Sequence, residues 1–529
     1  MNPALFLVLL FISAACSLKI VIFTPQQSNS QVILNKRVAE ELAKAGHDVT
    51  LILIKNIQVE HPAVDIHPNI TVWNIDAAPS TTRNIHSQLR DRTFNDIPVW
   101  DQRIWGSFHR MANLFVSSCE KTVQNKDFLK RLMDAKFDVA FAHMYDYCPI
   151  GLIHYAKIPT WIWLNSGVLS DIIAQDMGVE SPSSYVPTVM IDASDEMTFV
   201  QRLKNQIGRF LFIQLNSRFV VDPQTEIFRK HIDPSFPDLR SLGKQCPLVM
   251  VNSNELYDLP RPILHKVVYI GGLGMKQIDG KPLEGEFKEA IEKANKVVIM
   301  TFGSVARAHD MPESWKSAFV NAFRQFPNVQ FIIRYGADDL KERVSKNVLF
   351  SKWIPQSDLL QHPKTAAFIS HGGYNSLQEA ITAGKPIITI PLFGDQPRNA
   401  RIASKHGLGY LITKPEVTEE NVVKALKALL TEEKYTVAAK RLKQMIDRRP
   451  IPSEVLLTRW TEFLAEFKQL DNLFPYGTKL SFIQYNNLDV IFVIVSVIFI
   501  LVVVCYKVLQ SLYRLVRWIS TRSPKVKTS

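Results

Sequence analysis

The residues best suited to chemistry cluster between positions 353 and 396. His371-Gly372-Gly373 follows an apolar, strand-like run at 366–369 and precedes a helix-like stretch at 376–382. Glycines let a backbone approach a phosphate closely, and a helix start offers unpaired N–H groups at the positive end of its dipole. Asn375 and Ser376 add side-chain donors, and His371 can add one more. Glu379 stands one helical turn past Ser376, so both face the ligand end of the helix. Ser304, after Phe302-Gly303, is a second phosphate-facing candidate at the end of another strand. Each feature has an ordinary reading: a Gly-Gly turn is a common strand–helix connection, Glu379 could sit on a solvated face, and a lone Trp such as Trp353 is more often core.

The elements that must position these residues alternate between strand and helix. In the first half, a strand at 19–23, a helix at 32–45 ended by Gly46 and a strand at 49–54 form a βαβ unit, which implies a parallel sheet. Strand 139–142, helix 150–155 and strand 160–164 repeat the pattern. Strand 248–252 reads as the last of this domain, and the Pro-containing stretch 258–264 reads as a linker. Residues 84–131, rich in aromatic and charged side chains, are expected to form helices over the sheet. A second alternation runs through strand 297–301, helix 313–325, strand 329–334, strand 366–369, helix 376–382 and strand 386–390, and closes with helices 419–430 and 437–445. The fold class expected is α/β: two facing doubly wound, Rossmann-like domains, with ligands in the cleft beyond the carboxyl ends of the strands.

Length and composition agree with this. The chain has 529 residues, too many for one core, and 47% are hydrophobic. The net charge of +12 could suggest nucleic acid, but no basic block interrupts the globular part. Residues 5–12 are apolar and lead into Ser13, Ala14, Ala15 and Cys16, which reads as a signal peptide over 1–17. The domains expected are 18–262 and 263–445, then helices and a juxtamembrane segment over 446–487, a spanning helix at 488–506 and a basic tail at 507–529. Lys507, Arg514, Arg517, Arg522, Lys525 and Lys527 put that tail in the cytosol and the rest in a lumen. Lys525 and Lys527, five and three residues from the end, resemble a dilysine retrieval signal of the endoplasmic reticulum. Cys119, Cys148 and Cys246 allow at most one lumenal disulfide, with the pair left open. Asn69-Ile70-Thr71 is a glycosylation sequon, usable on the lumenal side.

Taken together, Trp353-Ile354-Pro355-Gln356, Ser370-His371-Gly372-Gly373-Tyr374-Asn375-Ser376, Glu379-Ala380 and Pro391-Leu392-Phe393-Gly394-Asp395-Gln396 are similar to the signature of the UDP-glycosyltransferase family, including the animal UDP-glucuronosyltransferases. The resemblance covers nearly the whole chain and is strongest over 296–411. It implies a GT-B arrangement. Trp353 would stack on uracil, and Gln356 and Glu379 would lie near the nucleoside, with the carboxylate on the ribose. The Ser304 loop and His371 to Ser376 would line the diphosphate, and Asp395 and Gln396 would bind the transferred sugar. It also implies direct displacement with inversion, giving a β-glycoside. No Asp-x-Asp or His-x-x-x-His cluster is evident, so neither metal nor other cofactor is expected, and UDP-glucuronic acid or UDP-glucose enters as co-substrate. Other partners expected are a small lipophilic acceptor, the lipid bilayer and, left open, a homo- or hetero-oligomer; nucleic acid is not expected.

The pattern departs at the acceptor. In the family a His opens the first N-terminal helix and deprotonates the acceptor, oriented by an Asp after a later strand. The matching positions carry Gln31 and His143. Gln31 cannot take a proton, whereas His143 can. Three readings stand: His143 is a displaced base, with Asp146 or Tyr147 to orient it; the acceptors need little deprotonation, as amines or acidic phenols do; or the chain is a weak or inactive member acting as a membrane-bound partner subunit. His47 is a further candidate base. Phe94, Trp100, Trp105 and Phe108 are expected in the acceptor pocket or, equally, in apolar packing.

Overall fold

The computed structural model describes residues 17–58, 64–79, 93–97, 101–275, 282–303 and 305–522. The expected signal peptide through Cys16, Trp100, Ser304, Lys525 and Lys527 lie outside them. Two all-parallel sheets organise the body. The first has seven strands in the order β3-β2-β1-β4-β5-β6-β7. They are β1 Lys19–Pro25, β2 Asp48–Lys55, β3 Thr71–Asp76, β4 Val139–His143, β5 Thr160–Asn165, β6 Leu248–Val251 and β7 Val267–Tyr269. The second has six in the order β10-β9-β8-β11-β12-β13: β8 Lys296–Thr301, β9 Val329–Arg334, β10 Val348–Ser351, β11 Thr365–Ser370, β12 Ile387–Thr389 and β13 Gly409–Leu411. Strand β1 shows why these runs become central strands. Val21 and Phe23 enter one apolar cluster while Ile20 and Ile22 enter another on the opposite face, as a parallel strand covered on both sides requires.

The helices that matter here are α1 (Asn29–Lys44), α2 (Gln102–Gln124), α3 (Cys148–Tyr155), α4 (Phe199–Asn216), α5 (Glu313–Arg324), α6 (Tyr374–Ala383), α7 (Gln396–Lys405), α8 (Ser453–Phe467) and α9 (Leu488–Thr521). Helix α1 begins before the expected residue 32, which brings Gln31 into its first turn. Strand β6 is not the last of its sheet, because the chain passes through 252–266 and adds β7 beside it. The segment 258–264 is therefore a crossover within the first domain rather than a linker between two. Strands β3, β10 and β13 are short or partly polar and carry no distinct apolar run of their own.

The two domains are interlaced. Phe94 is buried in the second domain, its ring 5.8 Å from Phe302 and 5.5 Å from Trp315, which removes it from the expected acceptor pocket. Lys414 Nζ donates to the Asn95 carbonyl at 2.9 Å. In return, Leu457 and Leu464 of α8 join the cluster formed by Val38 and Leu42 of α1. Cys119 of α2 and Cys148 of α3 form the disulfide, leaving Cys246 free and buried. Asn69 is exposed in the turn before β3. Helix α9 is a separate unit with the residues around it. It is long and apolar enough to cross a membrane, and at 34 residues it runs well past the expected 506. At about 1.5 Å per residue it exceeds the roughly 30 Å of a hydrocarbon core.

Candidate active site

Both sheets reverse strand order beside their first strand, between β1 and β4 and between β8 and β11. Ligands of such sheets bind at that reversal, beyond the carboxyl ends. In the second domain this is where β8 runs into Gly303 and β11 into Ser370-His371. Gly303 and Gly372 have φ of +77° and +79°, which favours glycine at both. The His371 ring adds a second reason. A Cβ on Gly303 would lie 2.7 Å from His371 Cε1, and one on Gly373 would lie 2.6 Å from His371 Nε2. The glycines thus seat the imidazole as well as opening the backbone to a phosphate. Burial, helped by the Arg334 charge, pushes this imidazole down to about 4, so it is neutral near pH 7. The Gly372 N–H donates to Ser370 Oγ at 3.2 Å, and α6 starts at Tyr374.

The residues expected near the nucleoside assemble around the same helix. Gln356 Nε2 donates to Glu379 Oε2 at 2.6 Å and lies 3.4 Å from Ser376 Oγ. Burial raises the Glu379 pKa, against the opposing pull of Arg37 from α1 and the bond from Gln356. Trp353 is half-exposed, with the Arg334 guanidinium 4.7 Å from its ring centroid. Arg334 also donates from Nη1 to the Gly303 carbonyl at 2.9 Å, joining the β8 turn to the indole. The loop carrying Asp395 is tied to the Ser370–Ser376 turn by Asn399, whose Nδ2 donates to Asp395 Oδ2 at 2.8 Å and to the Gly372 carbonyl at 3.0 Å. Gln396 Oε1 accepts from the N–H groups of Leu392 and Phe393 at 2.8 and 3.1 Å, which fixes the orientation of its amide. Sequence reading missed Asn399 and Arg334. Asn399 could have been found as the residue one helical turn beyond Asp395.

The first domain closes over this cradle through polar contacts. Asn375 Nδ2 reaches the Ser30 carbonyl and Asn252 Nδ2 reaches Asn375 Oδ1, each at 3.4 Å. Gln378 Nε2 donates to the Asn252 carbonyl at 2.6 Å, and the Tyr374 and Ser253 hydroxyls are bonded. Arg398 Nη2 and Asp258 Oδ1 form a buried ion pair at 3.1 Å. Gln31 follows Ser30 directly, so the family's base position lies beside the start of α6.

What surrounds Gln31 is polar. Ile20 and Ile22 of β1 pack under α1, and the next residue on that face is Thr24. On α1 the apolar face of Leu42 and Val38 gives way to Asn35 and Gln31 toward the same end. Asn35 Nδ2 donates to the Gln31 carbonyl at 2.8 Å, which orients its amide and leaves Oδ1 over. Thr24 Oγ1, Gln31 Oε1 and Asn35 Oδ1 are buried side-chain oxygens without a hydrogen-bond partner. The Tyr145 hydroxyl is bonded to Ser166 and lies against the Gln31 amide.

His143 is differently placed. The Tyr145 N–H donates to its Nδ1 at 3.3 Å, which puts the proton on Nε2, 3.9 Å from Asp146 Oδ2. Burial lowers its pKa against the opposing effect of Asp146. Nδ1 is therefore occupied within the first domain, while Nε2 faces Asp146 beyond hydrogen-bond distance. Tyr147 is bonded to Asp176 rather than to His143. His47 sits at the amino ends of β1 and β2, opposite the carboxyl ends, where Nδ1 meets the Leu18 N–H at 3.5 Å and Nε2 lies 3.6 Å from Glu462 of α8, so it does not face the cleft.

Comparison with known proteins agrees with this architecture. The family model described as UDP-glucoronosyl and UDP-glucosyl transferase matches residues 19–523. The chain is 30% identical to ugt-48 of Caenorhabditis elegans over 90% of this chain and 92% of that one. It is 27% identical to human UDP-glucuronosyltransferase 1A9 over 90% and 89%. Among solved structures, the glycotransferase of kitacinnamycin aligns with a TM-score of 0.57 at 16% identity, covering 86% of this chain and 99% of that one. The glycosyltransferase VinC in complex with DTDP aligns with a TM-score of 0.54 at 16% identity, covering 85% and 100%. With two parallel-sheet domains meeting at the glycine-rich turn after β11, and with the family model spanning both, the chain belongs to the UDP-glucuronosyl and UDP-glucosyl transferase family and is a UDP-glycosyltransferase of GT-B fold.

Proposed function

We propose that the enzyme transfers glucuronic acid or glucose from its UDP-sugar to a small lipophilic acceptor, with inversion and without a metal. The observation that carries this is the convergence of the Ser370–Ser376 turn, the Gln356–Glu379 pair and the Asp395–Asn399 loop opposite Ser30 and Gln31. The acceptor attacks the anomeric carbon from the Gln31 side, the bond to the diphosphate breaks on the other, and UDP leaves with the electron pair. The N-terminal N–H groups of α6 and the neutral His371 ring stabilise the charge gathering on the diphosphate. Trp353 would stack on the uracil, Glu379 would accept from the ribose, and Asp395 with the Gln396 amide would hold the sugar hydroxyls.

Among the acceptor readings, one needing little deprotonation is favoured by Gln31 and His143 together. A carboxamide cannot take the proton, and the His143 Nδ1 lone pair already accepts from the Tyr145 N–H. The unpaired oxygens of Thr24, Gln31 and Asn35 suit N–H donors and disfavour an anionic phenolate, so an amine is the preferred nucleophile. Its lone pair forms the C–N bond first, and the proton leaves the product ammonium to water. The test is calorimetric titration of the full chain with UDP, then radiolabelled UDP-glucuronic acid and UDP-glucose with matched amines, phenols and alcohols. A labelled β-linked amine product in the presence of EDTA supports the reading. UDP binding without transfer to any acceptor would favour the partner-subunit alternative, and absent UDP binding would remove the donor assignment.

The placement proposed is the endoplasmic-reticulum membrane, type I, with both domains lumenal. Protease added to intact microsomes should then trim only the tail beyond Tyr506, and Lys525→Ser with Lys527→Ser should release the protein toward the cell surface.

A further inference from the structure

Helix α4 is built inside out. It is a well-formed helix of 18 residues, begun by a capping box in which Thr198 Oγ1 accepts from the Gln201 N–H at 3.3 Å. At 100° per residue, Phe199, Val200, Leu203, Ile207, Phe210 and Leu211 fall within a sector of roughly 120°. All six are between 40% and 70% exposed. The opposite side carries Asn205, Arg209 and Asn216, and that is the side packed on the protein. Asn205 is fully buried. Its Nδ2 donates to the Ser183 and Val186 carbonyls at 2.9 and 2.8 Å, and its Oδ1 accepts from the Thr188 N–H at 2.8 Å. Arg209 Nε donates to Asp171 Oδ1 at 3.2 Å. A helix of a water-soluble body buries its apolar stripe and wets its polar one. Here the polar stripe is satisfied by the protein, and the apolar stripe faces outward.

We propose that the outer face of α4 lies in the surface of a phospholipid bilayer, the one that holds α9. Three features select lipid over a protein partner. Between Phe199 and Asn216 the helix contains Arg202, Lys204 and Arg209 and no Asp or Glu, with Arg202 and Lys204 flanking the apolar sector. This is the composition of an interfacial helix, whose cations meet phosphates while its large apolar side chains enter the acyl boundary. The chain also brings its own membrane. About 20 residues join the end of α8 to the start of α9, a tether of at most roughly 70 Å when fully drawn out. A bilayer that holds α9 is thus always within reach of the body. Finally, burial of the polar side fixes the apolar side outward in every state that keeps Asn205 paired, so the helix cannot roll to hide it.

The test uses the full chain in phospholipid nanodiscs, on a Cys16→Ser and Cys505→Ser background that leaves, besides the disulfide pair, the buried Cys246. Spin labels are placed singly at Leu203→Cys and Phe210→Cys on the apolar sector, and at Lys424→Cys on the exposed surface of the second domain. Collision with oxygen, which concentrates in acyl chains, is compared with collision with a water-soluble nickel chelate. An oxygen-to-nickel ratio at Leu203 and Phe210 about tenfold above that at Lys424 is expected for side chains within the acyl boundary. A ratio at those two sites equal to that at Lys424 overturns the proposal. Shielding from both reagents, retained when the nanodisc is exchanged for detergent, also overturns it and identifies a protein cover or a second copy. A nickel-accessible Leu203 beside an oxygen-accessible Phe210 overturns it as well, because both lie in one sector.

Discussion

The two sides of the cleft differ in which of their polar groups are paired. On the donor side, Gln356 holds Glu379, Asn399 joins Asp395 to the Ser370–Ser376 turn, and the Gln396 carbonyl is fixed by two backbone N–H groups. The unpaired buried atoms near that side are Asn399 Oδ1 and the Nε and Nη1 of Arg398, whereas on the acceptor side Gln31 Oε1, at the base position itself, is unpaired together with Thr24 Oγ1 and Asn35 Oδ1. An unpaired buried polar group costs about 1–3 kcal/mol. The donor side is organised in advance, so little rearrangement is needed as charge moves onto the diphosphate. On the acceptor side that cost falls on the residue that stands in the family's base position. On the proposed reading, this places acceptor choice on α1 and β1.

The sharpest way to break this contrast is to restore the family dyad. Gln31→His with His143→Asp should raise turnover on phenols and alcohols roughly 10²–10⁴-fold, the usual worth of a positioned general base. Progress curves on a matched amine and alcohol read it, and an unchanged alcohol rate in a folded, UDP-binding double variant would place the selectivity elsewhere in the pocket. His143→Ala alone should cost less than about tenfold on amines, because the ring lacks a free lone pair; a loss of 10² or more would restore it as the base. On the donor side, His371→Ala and Glu379→Ala should each weaken UDP binding by roughly 1–3 kcal/mol in calorimetry, one buried hydrogen bond apiece. The smallest effect concerns pH. His371 has a folded pKa of about 4, below its ordinary 6.5, so its contribution to stability is complete above 6.5 and is lost as pH falls toward 4. Denaturant midpoints should drop over that window, and His371→Gln should flatten the drop.

The parallel sheets were legible because their central strands are continuous apolar runs, and the donor residues because glycine, histidine and acid fall at fixed offsets around one strand–helix turn. The interlacing was not. Phe94 stands in a polar stretch, and nothing local tells that its ring enters the core beneath Trp315. Strand β7 was hidden for a similar reason, since Val267–Tyr269 is too short to signal a strand without its neighbour β6. His143 was legible as a change of residue type but not as a role, because the backbone N–H of Tyr145, which fixes its tautomer, has no sequence signature. The outward face of α4 reads in sequence as an ordinary amphipathic helix. Only burial shows which side the protein took.

The exchange of segments between the domains bears on how the molecule is made. A chain leaves the ribosome amino end first, and domains tend to fold as they emerge. Phe94 is synthesised some 200 residues before Phe302 and Trp315, the rings that enclose it, so it must wait in solvent or in the grip of a chaperone. Leu457 and Leu464 arrive long after the α1 surface they cover. Neither half can finish its core alone, and cutting the chain between the sheets should yield two fragments with exposed apolar sockets rather than two usable modules. Chimeras that trade acceptor halves between relatives would need to carry the Phe94 segment and its socket, and α8 and its seat, as matched pairs.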